Sequence, residues 1–298
     1  MKKVLVIGGS GFMGSHTADE LSKSGYSVII YDRFSSPWLR DDQEMIVGDF
    51  EDLIKLESAM KDVSIVYHFA GLADIGESKK FPYKTIESNV MGLTKVLEIA
   101  VKSSVMRFVF ASTMYVYSIH GSFYRASKQA AEIIIEAYAE EFDIEYTFLR
   151  YGSLYGPRAQ NWNGIRRFIA QIINEGKLDY NGNGLEMREY IHVNDAARLS
   201  VEVLDPKFAN NAITITGQQL IRVDDLISIM FEIAGKERKV NYLGEKNISN
   251  HYGNTPYRYT PKSAKKIVPL EFVDLGQGLL DIIEEINHEI KKNENSKL

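Results

Sequence analysis

Tyr124 and Lys128 are four residues apart, and Tyr124 follows Thr113 by eleven. On a helix, residues at that spacing share a face. A phenol has a pKa of about 10 and is a poor base at neutral pH. A neighbouring ammonium stabilises the phenolate and lowers that pKa. A hydroxyl from Thr113 could hold a substrate oxygen. Together the three make an apparatus for taking a proton from an alcohol while hydride leaves its carbon. A Tyr-x-x-x-Lys pattern is also common by coincidence on helix surfaces. The reading therefore depends on a hydride acceptor nearby and on elements that bring these groups to it.

The elements follow from patterning. Arg107 to Ala111 is a buried strand with Ser112 and Thr113 at its end. In open parallel sheets ligands bind outside the carboxyl ends of strands. Val4 to Ile7 is a β-branched run too short for a helix. It leads into Gly8-Gly9-Ser10-Gly11-Phe12-Met13-Gly14, a helical stretch to Gly25, and a second apolar run from Tyr26 to Tyr31, which stops at Asp32. Strand, glycine turn, helix, strand and acid make one dinucleotide-binding βαβ unit. Gly8 permits a tight turn, Gly11 lets a pyrophosphate approach the backbone, and Gly14 lets the helix pack on the strand. The helix N-terminus offers N–H groups to the phosphates. Asp32 suits a ribose 2′-hydroxyl and repels a 2′-phosphate, which favours NAD over NADP. Arg33 beside it could instead pair with a 2′-phosphate.

Further strands are expected at Met45 to Val47 and Ser64 to Phe69, with a helix from Asp52 to Met60 between them. Asp49 sits at a strand end, either against an adenine amino group or in a surface turn. Ala70-Gly71 ends the next strand with side chains small enough for a ligand to approach the backbone. Apolar residues from Ile86 to Ala100 recur mostly at spacings of three and four, which predicts one helix over 82–101 carrying Asn89.

Composition sets bounds. The 298 residues are 45% hydrophobic and 25% charged, ample for a buried core. No apolar run approaches the ~20 residues that span a bilayer, and the basic-then-apolar start lacks a signal-peptide core. No membrane partner is expected. The absence of cysteine excludes disulfides and thiolate metal sites and fits a cytoplasmic protein. A formal charge of −5 gives no general attraction to nucleic acid. The six histidines are scattered without metal-ligand spacing, so no metal is expected. His120, just before Tyr124, is the one placed for a possible role.

Beyond Pro157 the texture changes. Asn161 to Gly164 reads as a loop, Ile165 to Asn174 as a helix with Arg166 and Arg167, and Asn181 to Gly184 as a turn. Helices are expected over 195–204, 223–234 and 279–290. A strand at Ala212 to Thr216 is expected to rejoin the main sheet.

The chain resembles the extended short-chain dehydrogenase/reductases of the sugar-nucleotide epimerase/dehydratase group. The residues that carry the resemblance are the glycine motif with Asp32, Gly48-Asp49, His68-Phe69-Ala70-Gly71 and Asn89-Val90-Met91-Gly92. It continues through Ser112-Thr113, Tyr124-x-x-x-Lys128, Leu149-Arg150-Tyr151, Tyr155-Gly156-Pro157-Arg158 and Arg188 to Asp195. These occur in the family's order over about two-thirds of the chain.

The resemblance implies that Gly8, Gly11, Phe12, Met13 and Asp32, with Arg33, hold NAD. It implies that Asp49 and Phe50 meet adenine, that Phe69, Ala70, Gly71 and Asn89 line the cofactor, and that Tyr151 lies on the nicotinamide side. Thr113, Tyr124 and Lys128 become catalytic hydroxyl, base and cofactor-ribose lysine. Ser112, Ser153, Asn163, Arg188 and Arg258 become substrate contacts, Asn163 and Arg188 at the nucleotide diphosphate.

There are departures from the family. The segment between Thr113 and Tyr124 is short, Ser153 replaces an asparagine, and Gly253-Asn254 replaces Gly-Asp. Met114 and Tyr115 follow Thr113, where dehydratases and decarboxylases of the group carry an acid.

The expectation is an α/β protein. It has a doubly wound parallel Rossmann sheet over 1–155, to which 190–216 returns, and a smaller α/β substrate domain over 156–298. The expected activity is NAD-dependent epimerisation of a nucleotide sugar through a transient ketone. The alternative is a sugar or alcohol dehydrogenase/reductase with net redox turnover. Apolar residues beyond one stripe on the 82–101 and 124–141 helices predict a homodimer.

Overall fold

The computed structural model describes residues 2–244 and Pro256. The β-branched runs become strands β1 (Lys3–Ile7), β2 (Ser27–Asp32), β3 (Gln43–Val47), β4 (Ile65–His68), β5 (Arg107–Thr113) and β6 (Glu145–Tyr151). With β10 (Asn211–Ile215) they form a seven-stranded sheet in the order β10-β6-β5-β4-β1-β2-β3. Every pairing in it is parallel. Chain order reverses between β1 and β4, which opens a crevice at the carboxyl ends of those strands.

Both faces of the sheet are buried, as helical crossovers require. Leu5, Ile7, Ile29 and Tyr31 pack on one face with Phe108, Phe110 and Phe148. Val4, Val6, Val28 and Ile30 pack on the other with Tyr67, Val109 and Leu149. Helices α1 (Phe12–Lys23) and α8 (Val193–Glu202) cover the second face. Helices α2 (Leu53–Ala59), α5 (Leu93–Lys102) and α6 (Ser122–Glu141) cover the first.

Several elements go beyond the sequence expectations, among them strand β6, helix α3 (Ile75–Lys80) after β4, and a 3-10 turn at Met114–Tyr117 after β5. The helix expected over 82–101 is not continuous. It runs as α4 (Pro82–Ile86), a π-helical segment at Glu87–Gly92, and α5. The packing gives the reason. A Cβ at Gly92 would lie 2.5 Å from the Phe50 ring, and Asn89 is drawn inward to the backbone of Leu72. The wider turn accommodates both contacts, as π-bulges do at other sites.

The remaining described strands form two small sheets. In one, β7 (Ser153–Tyr155) pairs in parallel with β9 (Met187–His192), and β9 pairs antiparallel with β11 (Leu220–Arg222). The other joins β8 (Leu178–Tyr180) to β12 (Val240–Tyr242). A separate core of Ile172, Leu178, Val223, Ile227 and Phe231 lies under α7 (Gly164–Glu175) and α9 (Val223–Ile233). The strand at 211–215 does rejoin the main sheet, beside β6. Residues 190–192 do not, because they belong to β9. The helix expected over 279–290 lies outside the described residues.

Candidate active site

The glycine motif folds into a cradle. Gly8 has a φ of +81°, a region open to glycine. A Cβ there would meet the backbone nitrogen of Ala70 at 2.6 Å, and one on Gly14 would meet the Gly8 carbonyl at 2.2 Å. A Cβ on Gly11 would have only the Gly8 carbonyl, at 3.2 Å, as a near neighbour. Helix α1 begins beside it with no side-chain cap. Its first N–H groups therefore remain available to an anion.

At the end of β2, the Asp32 carboxylate accepts hydrogen bonds from the Ser10 amide (3.0 Å) and the Phe34 amide (3.1 Å). This holds the acid at the rim of the glycine turn. The Asp49 side chain accepts from the Glu51 amide at 3.0 Å, and its carbonyl accepts from the Tyr31 hydroxyl at 2.8 Å.

Gly8, Gly11, Phe12, Met13, Asp32, Arg33, Asp49 and Phe50 line one cavity of about 1150 Å³. Phe69, Ala70 and Gly71 form its floor between β1 and β5, with the Phe69 and Ala70 amides both donating to the Ile7 carbonyl. Asn89 is not in the lining. Its amide grips both backbone groups of Leu72 (2.7 and 2.9 Å) and the Ser127 hydroxyl (3.0 Å). It braces the wall from behind, by the backbone of Leu72 and the hydroxyl of Ser127.

The same cavity reaches Thr113, Tyr124 and Lys128. Parallel pairing places the end of β5 beside the end of β4, and α6 packs back across β5, so all three reach that cavity despite their separation in sequence. The Thr113 hydroxyl caps the 3-10 turn by accepting from the Tyr115 amide at 3.3 Å. The Lys128 ammonium donates to the Ala111 carbonyl (2.8 Å). It lies 4.5 Å from the centre of the Phe110 ring and 6.0 Å from that of Tyr124. Lys128 is only 6% exposed. Burial lowers its pKa from 10.5 to about 8, against an upward pull from the Glu132 carboxylate. Tyr115 meets Tyr124 edge-on, ring centres 6.2 Å apart. His120 is half-buried, is absent from the lining, and donates its amide to the Ser118 hydroxyl.

Among the expected substrate contacts, Ser112, Ser153, Asn163 and Arg188 all line the cavity. The Ser112 hydroxyl, however, is turned into the protein and donates to Glu132 at 2.5 Å. Asn163 spends its amide on the Leu154 carbonyl and on capping α7. Tyr151 presents its ring, while its hydroxyl bonds to Ser200 at 2.6 Å. Burial raises the pKa of that phenol, although the Ser200 bond opposes the rise. Arg258 lies outside the described residues.

The cavity is also lined by residues that the sequence does not mark as site residues, among them two groups. The segment Leu72 to Glu77 enters because α3 folds back over the crevice. Trp162 and Arg167 enter from the start of α7, and Tyr180 and Asn181 from the end of β8. A basic pair at the start of a helix, Arg166-Arg167, was the visible signal for one of them.

The family model described as NAD dependent epimerase/dehydratase matches residues 4–215. The chain belongs to that family: an enzyme of the short-chain dehydrogenase/reductase type whose cofactor is NAD. The glycine cradle, the uncapped α1 terminus and the acid at the end of β2 fit that dinucleotide.

A putative UDP-glucose 4-epimerase of Methanocaldococcus jannaschii is 27% identical, with 94% of this chain and 97% of that protein covered. A UDP-N-acetyl-alpha-D-glucosaminuronate decarboxylase of Bacillus cytotoxicus is 25% identical, with 84% of this chain and 86% of that one covered. The crystal structure of UDP-glucuronic acid 4-epimerase from Bacillus cereus, in complex with UDP-glucuronic acid and NAD, superimposes with a TM-score of 0.79. It is 26% identical, over 88% of this chain and 95% of that chain.

Proposed function

We propose that this enzyme is an epimerase of a nucleotide sugar, acting through a transient ketone. The observation that carries the reading is that Thr113, Tyr124 and Lys128 line the same cavity as the glycine cradle. In this reading Tyr124 takes the proton from a sugar hydroxyl and later returns it. Thr113 holds that oxygen, and the Lys128 ammonium favours the phenolate. When bound, NAD supplies hydride acceptance and return at its nicotinamide. The phosphates of the substrate extend toward Arg188 and Arg167 at the far end.

Elimination of water calls for a further acid or base, and decarboxylases of the family carry an acid as well. The position after Thr113, where such groups stand in the family, is the buried apolar Met114. That favours epimerisation over the decarboxylation named for one relative. The relatives named as UDP-sugar 4-epimerases make a UDP-hexose and its C4 hydroxyl the first substrate to test.

Purified enzyme with NAD is expected to interconvert UDP-glucose and UDP-galactose without net NADH. Tyr124→Phe should lower kcat by about 10²-fold or more while NAD binding persists. Steady NADH accumulation, or full activity of that variant, would overturn the reading.

We further propose residues 156–298 as the substrate-binding part, a division supported by the separate core under α7 and α9. A C₂ dimer through the helices at 82–101 and 124–141 is supported by exposed Tyr83 (78%), Met91 (57%) and Ile133 (65%). A sedimentation experiment showing monomer at micromolar concentration would refute it. In the described residues no helix is long and apolar enough to cross a membrane. With the cysteine-free composition, that supports a cytoplasmic location.

A further inference from the structure

Glu132 lies one helical turn beyond Lys128 on α6 and is 6% exposed. A carboxylate this deep is costly unless it is paired and hydrogen-bonded. Here it is both. Arg150 donates to it through Nε (2.9 Å) and Nη2 (2.5 Å), and Ser112 donates its hydroxyl at 2.5 Å. Arg150 also bonds the Tyr117 hydroxyl in the 3-10 turn and stacks its guanidinium on that ring.

Each partner adjoins a group that lines the cavity. Ser112 precedes Thr113, Arg150 precedes Tyr151, and Tyr117 closes the turn that Thr113 caps. Lys128 and Tyr124 lie one and two turns before Glu132 on the same helix. One buried carboxylate thus ties β5, β6, the 3-10 turn and α6 together where the four converge. A bidentate arginine pair in a dry setting has a rigid, directional geometry.

We propose that Glu132 is a positioning residue. Its carboxylate, clamped by Arg150 and Ser112, sets the end of β5 against α6 so that Thr113, Tyr124 and Lys128 address one point in the cavity. The inference rests on the assignment of those three as the reacting groups.

The clamp has an electrostatic side. Lys128 is faced by Tyr124 and Glu132 from its own helix and by His68 from β4. His68 is buried and held neutral, with its pKa pushed down to about 3. The Arg150 guanidinium is spent on Glu132. The carboxylate is thus the negative charge that keeps Lys128 protonated.

The test compares Glu132→Gln, Glu132→Asp and Ser112→Ala, each first shown to be folded by circular dichroism. Activity is measured with NAD and UDP-glucose. The Lys128 resonance, identified by its loss in Lys128→Met, is titrated in protein carrying ¹³C-labelled lysine.

Glu132→Gln and Ser112→Ala are each expected to lower kcat about tenfold or more with KM within about twofold. Glu132→Gln should also move the Lys128 titration, and the alkaline loss of activity, about half a pH unit or more lower. Glu132→Asp should keep that titration in place while kcat falls. If Glu132→Gln does not fold, Glu132→Asp and Ser112→Ala decide: unchanged kcat in both overturns the proposal. So does an unmoved Lys128 titration in a folded Glu132→Gln. A parent enzyme inactive on UDP-glucose counts against the functional reading alone, and the titration then decides the inference.

Discussion

Replacing Lys128 by methionine should stabilise the fold while it disables the site. The ammonium is 6% exposed, and its pKa drops from 10.5 to about 8. That drop corresponds to about 3 kcal/mol of cost for keeping the charge in the folded state. Below pH 8 the lysine is charged in folded and unfolded chains alike, so the whole cost is present. Between pH 8 and 10.5 the unfolded chain binds the proton and the folded chain has released it. Stability therefore rises with pH across that window, and above 10.5 the cost is gone.

Methionine has a similar shape and no charge. It leaves the Ala111 carbonyl without its 2.8 Å bond, which costs about 1 kcal/mol. The variant should thus be about 1–2 kcal/mol more stable than the parent at pH 7 and no more stable, or slightly less so, at pH 10.5. Denaturant unfolding at a series of pH values, without cofactor, reads this directly. Taking the difference between the two proteins cancels groups that titrate equally in both. A difference that stays flat from pH 7 to 10.5 would refute the claim that the folded state strains this charge. A catalytic site that sacrifices stability for a poised group is a familiar trade-off.

Three more outcomes test other parts of the molecule. Gly14→Ala places a Cβ 2.2 Å from the Gly8 carbonyl. It should cost about 1–3 kcal/mol and weaken NAD binding in calorimetry, whereas unchanged affinity would mean that the cradle does not hold the pyrophosphate. Asp32→Asn removes the charge beside Arg33, so the preference for NAD over NADP should narrow about tenfold; an unchanged ratio of dissociation constants would count against Asp32 as the discriminator. His68 is fully buried and neutral, and its pKa is pushed from 6.5 to about 3 by burial, with a smaller contribution from Lys128. Between those values the unfolded chain takes up a proton that the folded chain refuses, so stability falls as pH drops through the window. Relative to His68→Phe, the parent should lose about 3 kcal/mol between pH 6.5 and 4, read by urea unfolding at each pH.

Much was legible before any coordinates. The glycine spacing and the acid at the end of the second strand are local, because a βαβ unit is built within one short stretch by backbone sterics and helix-end polarity. The Tyr124–Lys128 pairing is likewise local, being one turn of a helix. The unbroken apolar run from Val4 to Ile7, too short for a helix, reads as a strand from local composition alone.

Other features depend on residues distant in sequence. Whether a hydroxyl faces a ligand or the core is decided by what packs behind it. Ser112 turns inward because Glu132, twenty residues on, is there to accept its hydrogen bond. Asn89 braces rather than lines because its helix widens around Phe50 and Leu72. The far wall draws Trp162 and Arg167 from the start of α7 and Tyr180, Asn181 and Arg188 from short strands and their ends, and the periodicity of those strands is too brief to read. Local steric rules write themselves into spacing. Long-range packing, in which one buried carboxylate can hold four elements, leaves no periodic trace and had to be seen in three dimensions.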